Sequence, residues 1–353
     1  MSDEQLPAAS RPARKRAKLK NVGNPTISDV AALAGVSYAS VSRVLNNNLT
    51  VDADISARVT AAVATLRYKP STVARGLALG RTNTVAVVVP DLENPMFQEI
   101  LRGVMHAAAA DGYRVLVTDT EENPNDEESA AREARRRCDA LVLISPRLPA
   151  AELDALLAEL QPVILVNRQL AASTISSVSI DYAHGMLGIL AELHQLGHRR
   201  VAYLAGPSQS DGDRLRRIGI EQATRELAGL EVQIVPTGSR IADGDAAVEA
   251  VVSLGVTATV AFNDLVAVGL LSALHRTNIA VPAQMSVVGF DDIPFATFSI
   301  PALSTVSVPR HELGLEAWNR LYESMSGVKT APRHPVTFQP RYVARESAGA
   351  PPE

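Results

Sequence analysis

TISDVAALAGVSYASVSRVLN, residues 26–46, reads as two short helices joined by a tight turn. Ala31 must be small if the second helix is to cross close above the first. Gly35, four residues on, lets the backbone turn sharply. Val41 and Val44 form an apolar stripe on the second helix, expected to pack against Val30 and Leu33 of the first. The outer face of that second helix carries Ser37, Tyr38, Ala39, Ser42 and Arg43, short polar groups plus one guanidinium. A helix with such a face fits the major groove of double-stranded DNA, where arginine reads guanine and hydroxyls meet base edges or phosphates.

The charge pattern around this motif points the same way. Residues 1–80 carry 11 Lys and Arg against 5 Asp and Glu, whereas the remainder carries 23 against 33. A basic head on an acidic body suggests that the head meets a polyanion and the body does not. Residues 1–24, with RPARKRAKLK inside them, have few large apolar side chains and read as a disordered basic arm. A third helix is expected from about Asp54 to Leu66, ended by Pro70. Pro70–Leu79 could form one more short helix before the polar linker GRTNT.

From Thr84 the pattern changes. Runs rich in β-branched residues alternate with amphipathic helical stretches: TVAVVVP, a helix over Met96–Ala110, YRVLVTD, ALVLIS, PVILVN, RRVAYLAG, EVQIVP, TATVAF and MSVVGF. Repeated βα alternation over more than 250 residues implies parallel sheets with helices on both faces. Two rounds of about four to six strands suggest two doubly wound halves. Ligands in such sheets sit beyond the carboxyl ends of the strands, which draws attention to Asp91–Asn94, Ser145, Asn167–Arg168, Asn263–Asp264 and Asp291–Asp292.

Together these signatures make the chain similar to a known family. TISDVAALAGVSYASVSRVLN, then LRYKPSTVARGLALGRTNTVAVVVPDLENPMF, VNRQ, LGHRRVAYLAGP, RLRRIG, FNDLVAVGLL, SVVGFDDIPFA and PALSTVSVP resemble, in order, the LacI family of bacterial repressors. The resemblance runs to about Ser347. It implies an all-α helix-turn-helix head on an α/β body of two Rossmann-like subdomains, as in periplasmic binding proteins. The expected boundaries are a basic arm at 1–24, the head at 25–69, a hinge helix and linker at 70–82, the effector-binding and dimerisation body at 83–347 and a tail at 348–353. The DNA-binding set it implies is Thr26, Ser37, Tyr38, Ala39, Ser42, Arg43, Asn46 and Leu77. Leu77 falls where the family inserts a wedge between central base pairs, exchanging unstacking energy for a bend. Gly76 costs the hinge about 1 kcal/mol of helix propensity relative to Ala and favours a segment that orders only on DNA.

The body's expected effector residues are Arg216, Asn263 and Asp291, with Asn167 or Arg168 after PVILV and Asp91, Asn94 and Phe97 from DLENPMF. A guanidinium gives paired hydrogen bonds, an amide both donates and accepts, and a carboxylate accepts from hydroxyls, which together suit a polyhydroxylated ligand such as a sugar. Phe97 could equally be core, and Asp264 and Asp292 suit helix caps or interdomain contacts. The expected partners are a palindromic operator, a second copy of the chain and a small polar effector, with no cofactor, no metal and no membrane. A corepressor-dependent repressor, or an activator responding to a nucleoside or another metabolite, is the alternative.

Other classes fit less well. The apolar runs are far too short to span a bilayer, and none follows the basic arm as a secretory signal would require, so a cytoplasmic protein is expected. One cysteine, Cys138, leaves no disulfide framework or cysteine-based zinc site. His194 and His198 stand four apart, but Gly197 should break the helix between them. A solute receptor would account for the body and not for the head. An enzyme would need a catalytic constellation, and none is evident.

Overall fold

The computed structural model describes residues 25–45, 51–69, 81–170, 175–327 and 335–352. The basic arm, Asn46, and the hinge through residue 80 with Gly76 and Leu77 lie outside them. The chain divides into two units, Met1–Gly80 and Arg81–Glu353.

The first unit holds α1 (Ile27–Ala34), α2 (Tyr38–Leu45) and α3 (Ala53–Leu66). A capping box between Thr26 and Asp29 starts α1, and Gly35, in the left-handed region at φ 61°, ends it. The small core consists of Val30, Ala34, Val41, Val59, Ala62 and Tyr68, with Val44 half-buried at its edge. Leu33 is not part of it and is 54% exposed, contrary to the expected pairing with Val41 and Val44. The buried stripe of α1 instead runs through Val30 and Ala34, one turn apart, and α3 supplies the opposing Val59 and Ala62.

The second unit opens with β1 (Thr84–Val89), α4 (Pro95–Ala110), β2 (Arg114–Asp119), α5 (Pro124–Arg137), β3 (Ala140–Ile144), α6 (Ala150–Glu159), β4 (Val163–Val166) and β5 (Ser177–Ile180). It crosses to a second lobe through α7 (Tyr182–Gln195), β6 (Arg200–Ala205), α8 (Asp211–Glu226), β7 (Glu231–Pro236), α9 (Ile241–Ala246), α10 (Val248–Ser253), β8 (Ala258–Ala261), α11 (Asp264–Arg276), β9 (Ser286–Val288), α12 (Pro294–Phe298) and β10 (Thr305–Ser307). The chain then returns to the first lobe with α13 (Arg310–Met325) and β11 (Val336–Phe338), and ends after β12 (Arg341–Val343).

The first sheet has the order β11-β5-β4-β3-β1-β2 and the second β7-β6-β8-β9. Every pairing in both is parallel, while β10 and β12 pair antiparallel. The central strands β1, β3 and β4 are almost wholly buried, as their unbroken apolar runs require. α4 and α13 pack on one face at close range: a Cβ on Gly103 would stand 2.2 Å from the His311 carbonyl, and one on Gly314 2.1 Å from that of Ile100. Because β11 joins the first sheet late, three crossovers link the lobes, at Asp181, at Val308–Pro309 and at Gln339–Pro340. The last residues pack on the body, where the Gly349 carbonyl meets His198 Nε2 at 2.9 Å and Ala348 lies against the core.

His198 is fully enclosed between that carbonyl and the Thr257 hydroxyl, 2.8 Å away, and burial holds its pKa down. His194 meets the Ala228 carbonyl at 3.0 Å, so both rings have structural partners. No helix among the described residues is long and apolar enough to cross a membrane.

Candidate functional site

Two surfaces gather the residues singled out by sequence. On the head, Ser37, Tyr38, Ala39 and Arg43 of α2 and its leading turn are exposed and Ser42 is half-buried. The Ser37 hydroxyl also serves the helix, accepting from the Ser40 amide at 3.1 Å. Thr26 is exposed, with its hydroxyl donating to Asp29 Oδ2 at 2.8 Å and accepting from the Asp29 amide at 3.3 Å. What sequence reasoning missed is Arg58 of α3. Its guanidinium donates to the Ala34 carbonyl at 2.7 and 3.0 Å and to that of Gly35 at 2.8 Å, locking the turn that sets α2 against α1. Those carbonyls end a helix and want donors, so an arginine there supplies the missing partner.

In the body, Asn94, Phe97, Arg216, Asn263 and Asp291 line one cavity at the carboxyl ends of the two sheets, with about 20 Å³ of free space in it. Arg216 is the centre of it. Its neighbours Arg214 and Arg217 turn outward onto Asp211 and Asp213, each at 2.7 Å, while Arg216 itself is 2% exposed. Its guanidinium carbon sits 4.3, 4.6 and 4.0 Å from the ring centres of Tyr182, Phe262 and Phe290. Rings over the faces of a guanidinium leave its edge for hydrogen bonding. Arg216 Nε has no hydrogen-bond partner among the described residues, and the nearest carboxylate, Asp291 Oδ1, is 3.8 Å from Nη2.

Asp291 is held in a conformation that few residues adopt. It has φ 105° and Asp292 has φ 55°, two consecutive non-glycine residues at positive φ. Three partners fix this turn. Buried Asp264 accepts from the Ile293 amide at 2.8 Å and the Thr305 hydroxyl at 2.6 Å, Asp292 pairs with Arg345 at 2.6 Å, and Arg310 donates to the Asp291 carbonyl. Asp291 Oδ1 itself has no hydrogen bond. Burial pushes its pKa up to about 7, against the opposing pull of Arg216 and then Arg310. Burial likewise drives Asp264 well above the ordinary carboxylate range.

The other predicted residues divide. Asn263 reaches the cavity, but its carbonyl oxygen caps α11 at the Val266 amide (2.9 Å) and its amide donates to the Ser239 carbonyl (2.9 Å), leaving one donor hydrogen for a ligand. Asn94 caps α4 at 2.9 Å. Asp91 is buried yet does not line the cavity, because its carboxylate holds the turn after β1 through the Glu93 amide at 2.7 Å. Asn167 and Arg168 lie off the lining as well. Arg168 donates to the Leu148 carbonyl at 3.2 Å and approaches Asp211 at 3.8 Å, while both amide atoms of Asn167 lack partners among the described residues. Arg147, which no pattern marked, lines the cavity and is tied to Glu122 by bonds of 2.6 and 2.8 Å.

Aromatic residues make up only 4% of the chain, yet Phe97, Tyr182 and Phe262 all line the cavity and Phe290 stands behind Arg216. An apolar ring wall, a guanidinium edge and a carboxylate short of a donor can together meet the hydroxyls and the apolar faces of a polar ligand.

Comparison with known proteins bears on both surfaces. Residues 26–71 match the pattern of "Bacterial regulatory proteins, lacI family", and residues 190–348 that of a "Periplasmic binding protein-like domain". The chain is 34% identical over 334 residues to the HTH-type transcriptional regulator AscG of Escherichia coli (strain K12), covering 92% of this chain and 99% of that protein. Among solved structures, a lac repressor dimer bound to operator and the anti-inducer ONPF superposes with a TM-score of 0.82 at 26% identity, covering 93% of this chain and all of that one. The transcriptional regulator CelR in complex with cellobiose gives 0.68 at 27% identity, over 92% and 99% of the two chains.

Proposed function

We propose that this chain, which belongs to the lacI family of bacterial regulatory proteins and is a DNA-binding transcription regulator, acts as a dimeric repressor whose hold on a palindromic operator is set by a sugar in the Arg216 cavity. The observation that carries the reading is the pairing of Arg216 with Asp291: two buried, opposite charges 3.8 Å apart, each with a polar atom left without a partner. Buried polar atoms of this kind cost free energy until something meets them, and a ligand hydroxyl bridging guanidinium and carboxylate would do so. The relatives support the ligand class, since CelR is seen with cellobiose.

In this reading α2 enters the major groove, with Arg43 and Tyr38 nearest the base edges and Thr26 and Ser37 toward phosphates. Leu77 and Asn46, outside the described residues, keep the roles that the family resemblance gives them. The basic arm adds salt-dependent, sequence-independent affinity. Two copies of the chain bring two heads to two half-sites, so operator symmetry follows protein symmetry. No reaction is assigned to the cavity and no cofactor is required. The rings of Phe97, Tyr182 and Phe262 also favour a second reading, a nucleoside effector whose base stacks on them.

The test is anisotropy binding to duplexes selected by the protein from a randomised palindromic pool, with a panel of sugars and nucleosides added in turn. Release by one sugar is expected. Release or tightening by a nucleoside favours the second reading, and binding with no sequence preference and no response to any compound rejects both.

A further inference from the structure

The body grips the residues just before β1 with one side chain. The Asp139 carboxylate, at the corner between α5 and β3, accepts from the Thr82 amide at 2.7 Å, the Thr82 hydroxyl at 2.9 Å and the Asn83 amide at 2.8 Å. The Asp139 amide answers with a 2.8 Å bond to the Thr84 carbonyl, and the Arg114 amide donates to that of Asn83 at 2.9 Å. Asn83 is thereby held at φ 47°, which a free chain would seldom keep. Residues 81–83 are exposed and bury no apolar side chain, so hydrogen bonding rather than packing fixes them.

We propose that Asp139 is the anchor that fixes where the body releases the chain toward the DNA-binding half, and so sets the half-site spacing that the dimer accepts. The inference rests on the dimeric operator-binding reading above. Three bonds converge on a single carboxylate, and charge-assisted bonds of this type are the strong ones. Without them, Thr82 and part of Asn83 are freed. Each freed residue adds about 3.3–3.6 Å of reach, close to the roughly 3.4 Å rise of one base-pair step. An anchored exit point therefore distinguishes operators that differ by one or two base pairs in spacing, and a loose one does not. Asp139 is a positioning residue in this scheme, and it touches neither DNA nor effector.

The experiment measures affinity for duplexes selected by the wild-type protein and for the same duplexes with one or two base pairs inserted or removed at their centre. The full-length wild type, Asp139→Ala and Thr82→Val are compared, and the melting of each is followed as a check on folding. For wild type a penalty of about tenfold or more for altered spacing is expected; for Asp139→Ala it shrinks to about threefold or less, with affinity for random-sequence duplex unchanged. Thr82→Val, which removes the hydroxyl's bond to Asp139 and the 3.2 Å bond it accepts from the Thr84 amide but keeps both backbone bonds to Asp139, should shift in the same direction by less, and it carries the test if Asp139→Ala fails to fold. A variant that folds and keeps the full wild-type penalty overturns the anchor. A wild type indifferent to spacing overturns the two-half-site reading and the anchor with it.

Discussion

The DNA-facing helix and the effector cavity are built on opposite plans. On the head, the described residues read as functional are exposed apart from half-buried Ser42, and the backbone ends beneath them are satisfied by side chains: Thr26 with Asp29, Ser37 with Ser40, and Arg58 on the Ala34 and Gly35 carbonyls. In the cavity the groups proposed to meet the effector are buried, and two of their atoms, Arg216 Nε and Asp291 Oδ1, lack hydrogen-bond partners among the described residues. A surface that meets a large, wet, charged partner can leave its polar groups to water until the partner comes. A cavity that must discriminate a small ligand has to remove water beforehand, and so carries its unsatisfied groups in the folded state.

The contrast can be tested from each side, beginning with the cavity. Arg216→Leu should abolish the effector response, with a loss of about 100-fold or more in effector affinity, because Arg147, the other arginine on the lining, is already bonded to Glu122 and the Ser145 carbonyl. Operator affinity without effector should stay near wild type. An Arg216→Leu protein that still responds to effector would remove the cavity from the account. On the head, Arg43→Ala should lower operator affinity by about 1–3 kcal/mol, relaxing the preference at one base pair per half-site. A uniform loss across all sequences, read from binding to a set of single-base variants, would make Arg43 a phosphate contact instead.

Smaller effects separate the two plans in stability. Asp291 has its pKa raised to about 7 in the folded protein, so the protein bears no buried charge there at low pH, loses stability as pH rises from the ordinary carboxylate value toward 7, and loses little more above it. Asp291→Asn removes that charge at similar shape. It should therefore raise the melting temperature of the ligand-free protein at pH 8, by roughly 2–4 °C for each kcal/mol gained, and by somewhat less at pH 6. The same substitution should weaken effector binding and flatten its pH dependence, since wild-type affinity falls as the carboxylate is protonated below about pH 7. Equal stabilisation at both pH values would mean that the carboxyl is already ionised at pH 6. Thr26→Ala, by contrast, takes away a cap from the head and should destabilise it by about 1 kcal/mol with no such pH trend between 6 and 8. Urea melts of the two variants at both pH values make the comparison.

The head was legible in the sequence because its determinants are local. Helix starts, the Gly35 turn and the exposed polar face all lie within 21 residues, and only Leu33, at the margin of the buried stripe, was misplaced. Eight of the body's strands were equally plain as apolar runs. β5, SVSI, has serines in alternation, and β10, β11 and β12 have three residues each, too few to show a period. That β11 pairs with β5, and so ties the chain's end to the first lobe, is a contact across more than 150 residues.

The cavity was legible as a set of strand ends but not in its details. Arg216, Asn94, Phe97, Asn263 and Asp291 converge as expected, while Asp91, Asn167 and Arg168, at equally suitable strand ends, do not reach the lining. Their positions depend on which way a side chain turns after a strand, which the pattern of apolar residues leaves open. The aromatic collar was hidden for the opposite reason: a composition averaged over the chain says nothing about where a few rings gather. Arg147 with Glu122, and Arg58 on the Ala34 carbonyl, join residues 24–25 positions apart with no motif between them.

In the proposed function the Arg216 cavity and the DNA-facing helix are coupled, and coupling is reciprocal. Once a compound is found that alters operator affinity, its dissociation constant should be measured by calorimetry on the free protein and on the protein saturated with operator. The account predicts that the two constants differ by the same factor by which the saturating compound changes operator affinity. Equal constants, with the compound still competing in the Arg216 cavity, would contradict it.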